Sequence, residues 1–413
     1  MCESEETFYE DERRLLASGV RDIFTPHTPI NNENLFRGRI VEVTQILSTL
    51  NTPGQHVLLY GDRGVGKSSL ANIASKKLIN ITGNKLIIKR CSKSDNFSSL
   101  FDDLLMECGV DASLINQQQV NSLRLKPIEI SDTKTKDGYF NKLNSPSWIC
   151  NKVKDENVLM LIDEFDSIQN IEDKHKVAEL IKLLSDSNSK CKLFVVGIAE
   201  SAEELTAGHP SLQRCLKEIK LNKMSNRELT EIINNGSFQL KLNFSRDAKF
   251  RIIRLSSGYP HFTHLLALKA AELAIINEIA NVDLNILDEA IEKSISDCEN
   301  SLRQSYEETI QSSSTMHIYR KVLYATALCS DIIRSSDIRF IYNIIFDDEI
   351  TQQRLNQYLS KLVSNSNDKI LRRLTKGVYR FSDPRMSSYI RLVQSDMYSE
   401  KEEDVYTKQK LEV

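Results

Sequence analysis

The sequence predicts an α/β fold in which a parallel sheet has helices on both faces, followed by an all-α segment and a C-terminal module of helices and a hairpin. Almost wholly apolar runs at 56–60, 158–162 and 192–198 are typical of parallel strands buried on both faces. Helical periodicity separates these runs, and β–α–β alternation favours a parallel sheet. From residue 225 the pattern becomes purely helical, until a hairpin pattern at 370–382.

Composition and charge set the broad class. The chain has 413 residues, with 54 Lys and Arg against 57 Asp and Glu and a formal net charge of -3. The length suggests two or three domains, and the charge argues against a wholly basic nucleic-acid coat without excluding a local patch. The eight cysteines are scattered and form no C-x-x-C pair, which argues against a zinc site or a redox pair. Several lie in predicted strands or helices, where free thiols act as small apolar groups, and this suits a reducing cytoplasm. We find neither a signal-peptide pattern nor a membrane-length apolar run, and therefore expect a cytoplasmic protein without membrane contact.

The first strand leads into a glycine-rich loop. Residues 61–68, Gly-Asp-Arg-Gly-Val-Gly-Lys-Ser, match G-x-x-x-x-G-K-[ST], and the helical spacing that follows supplies the helix this motif requires. Glycines let the backbone approach a polyphosphate, which the loop N–H groups and the helix N-terminus attract. Lys67 would reach the β- and γ-phosphates, and Ser68 would ligate Mg²⁺. The alternative is an ordinary strand-to-helix turn. The nucleotide contacts predicted here are Gly61, Asp62, Arg63, Gly64, Val65, Gly66, Lys67, Ser68 and Ser69.

Two acidic residues follow the apolar run at 158–162. They are Asp163 and Glu164, at the carboxyl end of a strand, where open α/β sheets bind ligands. Asp163 would hold Mg²⁺, directly or through water, and Glu164 would polarise the water that attacks the γ-phosphate. Alone, the pair could cap the next helix. Together with Lys67 in the loop, it favours hydrolysis over binding alone.

The other elements of this region follow the same patterns. Helical spacing predicts helices at 40–50, 98–109 and 174–185, and apolar runs predict strands at 85–91 and 216–221.

Two stretches are irregular. Residues 35–39, Leu-Phe-Arg-Gly-Arg, precede the loop at the place where many P-loop ATPases lay a linker across the adenine, so Arg39 is a candidate nucleotide contact. The alternative is a plain loop packed on the domain edge. Residues 116–147 are polar and punctuated by Pro and Gly, which predicts a long surface excursion.

Together these motifs resemble the AAA+ ATPases, most closely the origin-recognition and replication-initiator clade and its prokaryotic relatives, over residues 24–395. The resemblance implies an α/β P-loop NTPase domain with ATP and Mg²⁺ as cofactors, an all-α lid and a C-terminal winged-helix domain. The implied domains are an acidic N-terminal segment at 1–23, an AAA+ base domain at 24–224, the lid at 225–300, the winged helix at 301–395 and a charged tail at 396–413.

An arginine precedes the last strand of the sheet. Residues 213–221, Gln-Arg-Cys-Leu-Lys-Glu-Ile-Lys-Leu, resemble the Ser-Arg-Cys segment of clamp-loader-like AAA+ proteins. There the arginine reaches the γ-phosphate of a neighbouring subunit. The resemblance implies that Arg214 is a catalytic arginine finger acting in trans within a homo-oligomer. The alternative is a surface arginine at a strand start.

Both sensor positions depart from the family pattern. Residues 257–262, Ser-Gly-Tyr-Pro-His-Phe, resemble the Gly-x-Pro element of signal-transducing STAND ATPases. They place His261 where AAA+ lids usually carry an arginine, and His261 would contact phosphate or else serve as a cap or core residue. At the end of the fourth strand, where the family has Asn, Ser or Thr, this chain offers Glu200 or Ser201. We therefore expect slow hydrolysis.

The C-terminal pattern resembles a winged helix. Three predicted helices, at 316–328, from 335 and at 351–363, precede a hairpin that turns at Lys376 and Gly377. Residues 313–395 carry thirteen Lys and Arg against seven Asp and Glu, a local +6, which is compatible with phosphate-backbone binding. The alternative is a protein-interaction module. The predicted DNA contacts are Arg354, Lys361, Arg372, Arg373, Lys376 and Arg380.

Three functions remain open at this point. The first is an ATP-switched AAA+ protein that binds DNA and recruits partners through its winged helix. The second is a regulatory ATPase of a prokaryotic antiviral-defence or mobile-element complex, in which the winged helix binds an effector protein rather than DNA. The third is a slow ATP-dependent scaffold with negligible turnover.

Overall fold

A computed structural model describes residues 2–109, 145–206, 210–311, 316–346, 348–364 and 370–395. Most of the surface excursion predicted at 116–147 lies outside these residues. The chain divides into two units. The sheet unit comprises Pro29–Asp62 and Gly66–Asn222, and the helical unit comprises Met1–Thr28, Arg63–Val65 and Lys223–Val413.

Short apolar runs form the strands of the sheet unit, as predicted. Among the described residues, five parallel strands make one sheet in the order β2-β3-β4-β1-β5. Every residue of the interior strand β3 is buried, because a parallel sheet is covered on both faces, whereas β2 at the edge is only half-buried. The α/β class predicted from the sequence is thereby confirmed. The five strands are β1 (His56–Gly61), β2 (Lys85–Arg90), β3 (Val158–Asp163), β4 (Lys192–Ile198) and β5 (Leu216–Lys220).

Helices surround the sheet and make up most of the helical unit. The helices, numbered in chain order, are α1 (Cys2–Ser18), α2 (Val20–Ile23), α3 (Ile40–Asn51), α4 (Lys67–Thr82), α5 (Phe97–Glu107), α6 (Pro146–Val153), α7 (Ile171–Asp186), α8 (Glu203–Thr206), α9 (Asn226–Leu240), α10 (Arg246–Ser256), α11 (Pro260–Ile276), α12 (Leu284–Asp297), α13 (Asn300–Gln311), α14 (Met316–Ala327), α15 (Ser335–Ile345), α16 (Gln352–Ser364) and α17 (Met386–Val393).

The N-terminal segment belongs to the core of the helical unit. Phe24 is 1% exposed, and a Cβ on Gly236 of α9 would lie 2.2 Å from its ring. The same ring packs edge-on against His264 of α11, with centroids 6.1 Å apart. Only a glycine leaves room for Phe24 at this point of α9, so the N-terminal residues and the helices after Lys223 share one hydrophobic core.

Two very short strands interrupt the helical pattern after residue 225. Strands β6 (Asn243–Phe244) and β7 (Asn281–Val282) pair in parallel. Two residues are too few for the period-2 alternation by which strands are recognised in a sequence. The purely helical expectation for 225–300 therefore missed them.

The residues from Met316 onward form a C-terminal module of helices α14 to α17 and a small antiparallel sheet. The strands are β8 (Ile333–Arg334), β9 (Leu371–Thr375) and β10 (Val378–Phe381), in the order β8-β10-β9. The hairpin turns at Gly377, whose φ of 77° suits glycine. In the part of the chain that the structure describes, every helix is too short or too polar to cross a bilayer.

Candidate active site

The loop between β1 and α4 begins with a glycine that its neighbours require. A Cβ on Gly61 would lie 2.4 Å from the carbonyl oxygen of Leu221. The two backbones are this close because the N–H of Leu221 donates to the carbonyl of Tyr60 at 2.7 Å. Gly66, with a φ of 95°, forms the N-cap of α4. The loop glycines are therefore needed for the backbone conformation as well as for the close approach of a phosphate to the backbone.

Lys67 is the first residue of α4, and its side chain folds back over the loop. The residue is 8% exposed. Its Nζ donates to the carbonyl oxygens of Gly61 at 3.0 Å and Asp62 at 2.7 Å. Buried charges need hydrogen-bond partners, and these two carbonyl groups position the ammonium over the loop.

The acidic pair lies at the end of β3. Asp163 is 6% exposed, and its Oδ1 accepts the N–H of Glu164 at 2.9 Å. Glu164 is exposed and has a φ of 58°, in the left-handed region that costs a residue with a Cβ about 1–2 kcal/mol. Backbone strain of this kind concentrates at functional positions. The strain here coincides with the acid predicted to act on water.

Strand order brings the two motifs to one edge of the sheet. Strand β4 lies between β3 and β1, and all three run in parallel. Their carboxyl ends therefore face the same side, so the loop after β1 and the acids after β3 lie one strand apart.

The sensor candidates follow β4 at that edge. Glu200 is exposed, and its carbonyl oxygen accepts the ammonium of Lys220 at 3.3 Å. A backbone hydrogen bond and the hydroxyl of Ser201 both lower the pKa of the Glu203 carboxyl, which places the Ser201 side chain at the start of α8. Sequence reasoning missed Asp166, whose Oδ1 accepts the N–H of Ile198 at 2.7 Å. Its position two residues after Glu164 was the available signal.

Two further candidates in the sheet unit have structural partners. Arg39 is 6% exposed, and its guanidinium donates to Glu42 at 3.2 Å and to the carbonyl of Asn222 at 2.5 Å. The hydroxyl of Ser69 accepts the N–H of Ile30 at 3.0 Å. Both residues thus connect the segment before β1 to the rest of the unit.

Arg214 ends a 3₁₀ turn, Pro210–Arg214, directly before β5. Its side chain is exposed, while its backbone carbonyl accepts the side-chain amide of Gln55. The structure thus places an exposed cation where the sequence predicts a finger.

His261 lies in the first turn of α11 and points toward the N-terminal segment. Its Nδ1–H donates to the carbonyl of Pro26 at 2.8 Å, and its ring faces His27 with centroids 6.3 Å apart. Burial lowers the pKa of His261, so the imidazole is neutral near neutral pH. A neutral ring brings no positive charge to a phosphate.

Loop residues 63–65 group with the helical unit, where a charged cluster meets them. Arg63 lies 3.5 Å from Glu299, which also forms a bidentate pair with Arg385 at 2.5 and 3.0 Å. A Cβ on Gly64 would lie 2.8 Å from Cδ of Arg385. Sequence reasoning missed Arg385 and Glu299, and the only signal was the Asp-Pro-Arg turn after the hairpin.

The cations predicted to contact DNA lie on one helix and the hairpin of the C-terminal module. Arg354 and Lys361 are exposed on α16. The others are exposed or half-buried on β9, the turn and β10, and they are Arg372, Arg373, Lys376 and Arg380.

The loop, the acidic pair and the parallel sheet define a P-loop NTPase fold. The sequence profile of the family described as Novel STAND NTPase 1 matches residues 28–316. The chain therefore belongs to this family. The match confirms the P-loop NTPase class and the STAND resemblance that the sequence predicted.

Solved structures are similar to this chain at low sequence identity. A Walker-type ATPase of Pyrococcus abyssi is 17% identical, with 89% of this chain and 99% of that chain covered and a TM-score of 0.50. The ORC1 protein of Aeropyrum pernix, solved in complex with DNA, is 12% identical, with coverages of 92% and 97% and a TM-score of 0.47. At 17% identity, the likeness to the Pyrococcus abyssi protein shows the fold alone. A comparison with curated proteins gives no match.

Proposed function

We propose that this chain binds ATP with Mg²⁺ in the loop of residues 61–68 and uses the nucleotide state as a conformational switch. The observation that carries the proposal is Lys67, a buried ammonium held over the loop by two neutral carbonyl groups. Phosphate oxygens are charged acceptors, and hydrogen bonds to charged groups are stronger than those to carbonyls. Bound phosphates therefore compete well for this side chain.

In this proposal the remaining residues divide the chemistry. Ser68 and Asp163 would hold Mg²⁺, and Glu164 would orient the water that attacks the γ-phosphate. Among the described residues no cluster of three or more His, Cys, Asp or Glu forms a metal site by itself. The nucleotide therefore has to supply part of the coordination.

Turnover in this proposal is slow, which suits a switch. A backbone hydrogen bond and a hydrogen bond from the Ser201 hydroxyl lower the pKa of the Glu203 carboxyl at the start of α8. Burial lowers the pKa of His261. The Ser201 hydroxyl is thus engaged with Glu203, and a neutral His261 does not replace the arginine that the resemblance implies for the lid. The ATP-bound state consequently persists long enough for a partner to recognise it.

We further propose that Arg214 completes the site of a neighbouring chain in an oligomer. We expect Arg214→Ala to keep wild-type ATP affinity and to lose at least about 10-fold in turnover at concentrations where chains assemble, because the finger stabilises transition-state charge. Steady-state ATPase assays over a range of protein concentrations measure this. Lys217→Ala, an exposed change on β5, is the matched control. Equal turnover for Arg214→Ala and wild type at every concentration would contradict the finger.

The C-terminal module is proposed to be a winged helix that engages DNA through the hairpin and α16. We expect the double change Arg372→Ala, Arg373→Ala to weaken duplex binding and to reduce the slope of log affinity against log salt by about 2, since each phosphate contact contributes about 0.9. Fluorescence anisotropy at several salt concentrations in the presence of ATP gives both quantities. Arg227→Ala on α9, with a side chain 90% exposed, is the control. If wild type shows no binding at low salt, the module binds a protein instead.

A further inference from the structure

A carboxylate in the turn after the acidic pair is bonded to the neighbouring strand. Asp166 lies in the 3₁₀ turn Phe165–Ser167, which directly follows Glu164. Its Oδ1 accepts the N–H of Ile198, the last residue of β4, at 2.7 Å. The two partners are 32 positions apart in the sequence. The side chain of Asp166 therefore joins two segments that are distant along the chain.

This hydrogen bond continues the strand ladder beyond the point where β3 and β4 pair. Their parallel pairing ends at Ile162 opposite Val195, before Ile198 is reached. The chain leaves the sheet at Glu164, whose φ is 58°. A strand N–H needs an acceptor, and at Ile198 the carboxylate of Asp166 takes the place of a carbonyl from the neighbouring strand. The bond thus belongs to the end of the sheet where the acidic pair lies.

The same turn packs closely against the backbone of β4. A Cβ on Gly197 would lie 3.3 Å from the backbone nitrogen of Asp166 and 3.0 Å from the side chain of Leu205. Within the turn, the N–H of Ser167 donates to the carbonyl of Glu164 at 2.9 Å. A strained backbone persists only where the surrounding structure holds it. The packing on Gly197 and the hydrogen bond of Asp166 supply that restraint next to Glu164.

Strand β4 connects this turn with the phosphate loop. Ile198 lies opposite Gly61 in the parallel pairing of β4 with β1. The carbonyl of Gly61 accepts the ammonium of Lys67 at 3.0 Å. The backbone of Ile198 therefore has the turn that follows the acidic pair on one side and the first residue of the loop on the other.

We propose that Asp166 is a positioning residue for ATP hydrolysis, which fixes the orientation of Glu164 relative to residues 61–68. The inference rests on the proposed function, because it requires Glu164 to act on water. Asp166 acts through the backbone, as the acceptor for the N–H of Ile198, and contacts neither the nucleotide nor the metal. A displacement of about 1 Å in a catalytic group can lower a rate about 100-fold, so this restraint has a large effect without touching the substrate.

Replacing Asp166 separates positioning from binding. Asp166→Ala is expected to lower the ATP turnover number by about 10- to 100-fold, with a dissociation constant for MgATP within about twofold of wild type, because the interaction serves the chemical step. Asp166→Asn retains an oxygen that accepts the N–H of Ile198, so it should keep turnover within about threefold of wild type. Single-turnover assays and equilibrium titration with MgATP measure both quantities. Asp155→Ala, an exposed change in the turn before β3, is the matched control.

The Glu164→Gln background tests whether Asp166 acts through Glu164. Once the carboxylate of Glu164 is removed, adding Asp166→Ala should slow hydrolysis by less than about twofold more, since residues that act as a unit have non-additive effects. Single-turnover assays over long incubation times compare the two variants. A further loss of about 10-fold in the double variant would show that Asp166 contributes by another route, and would overturn the inference.

Three other outcomes would contradict the positioning role. One is equal turnover in wild type and a folded Asp166→Ala protein, which leaves the nucleotide site intact. Another is a loss in Asp166→Asn as large as in Asp166→Ala, with a raised Mg²⁺ requirement, which would place the carboxylate on the metal. The third is ATP binding by wild type without measurable hydrolysis, which leaves the nucleotide switch standing. Absence of MgATP binding by wild type would refute the proposed function itself and the inference with it.

Discussion

Replacing Lys67 with alanine is expected to reduce ATP affinity by at least about 100-fold. The buried ammonium is positioned over the loop by Gly61 and Asp62, and in the proposed complex it donates to phosphate oxygens. Each charge-assisted hydrogen bond contributes about 1.5–3 kcal/mol, so the loss of two corresponds to a factor of about 100 or more. Equilibrium titration with MgATP measures the change.

The control for this substitution is an exposed lysine of the same unit. Lys190, two residues before β4, is exposed in the native chain, and the Lys190→Ala variant should bind ATP like wild type. Melting temperatures of both variants show whether the fold survives, because Lys67→Ala also removes two hydrogen bonds from the loop. If a folded Lys67→Ala protein binds ATP within threefold of wild type, residues 61–68 are not the nucleotide site.

Changing Glu164 to glutamine is expected to lower the ATP turnover number by about 100-fold or more and to leave ATP affinity unchanged. A general base contributes roughly 10²- to 10⁴-fold to a rate. Glutamine has the same size as glutamate and meets the same left-handed backbone at position 164, so the change removes the charge and little else. Single-turnover and steady-state assays at saturating ATP separate chemistry from binding.

Glu179→Gln, an exposed change on α7, is the matched control and should hydrolyse ATP like wild type. Unchanged turnover in Glu164→Gln would mean that another group activates the water. If wild type and Glu164→Gln both show negligible turnover, while Lys67→Ala fails to bind ATP, the chain is a nucleotide-dependent scaffold.

The central strands and the loop could be predicted because their signals are local. Strand β3 is an uninterrupted apolar run, since its side chains are buried on both faces. The loop motif is contiguous, and its glycines meet steric demands visible at Gly61 and Gly64. For the strand and the loop, the residues that determine the local structure are all contained in one short stretch of sequence.

The exact helix boundaries depend on capping side chains, which do not contribute to the hydrophobic periodicity of the sequence. Helix α5 begins at Phe97, one residue before the predicted start, because the side chain of Asn96 accepts the N–H of Ser99 in a capping box. Strand β8 has two residues and follows only from its pairing with β10. Strand pairing joins residues that are distant in the sequence, so no local pattern predicts it.

The charged cluster at the loop tip was beyond sequence reasoning for the same reason. Arg63, Glu299 and Arg385 come together although Arg63 and Arg385 are far apart in the chain. A hydrogen bond from Arg385 lowers the pKa of the Glu299 carboxyl, which keeps it ionised beside Arg63. Ion pairs between distant segments follow from the fold, and charge pattern along one segment does not reveal them.

The mass of the Glu164→Gln chain in solution, with MgATP and then with MgADP, tests the switch most directly. This variant is expected to hold ATP without hydrolysing it. Sedimentation velocity should therefore show a larger assembly with MgATP than with MgADP, and Lys67→Ala should remain at the smaller mass with either nucleotide. The same mass for Glu164→Gln in both nucleotides, with binding of each verified by titration, would contradict a nucleotide-dependent assembly switch.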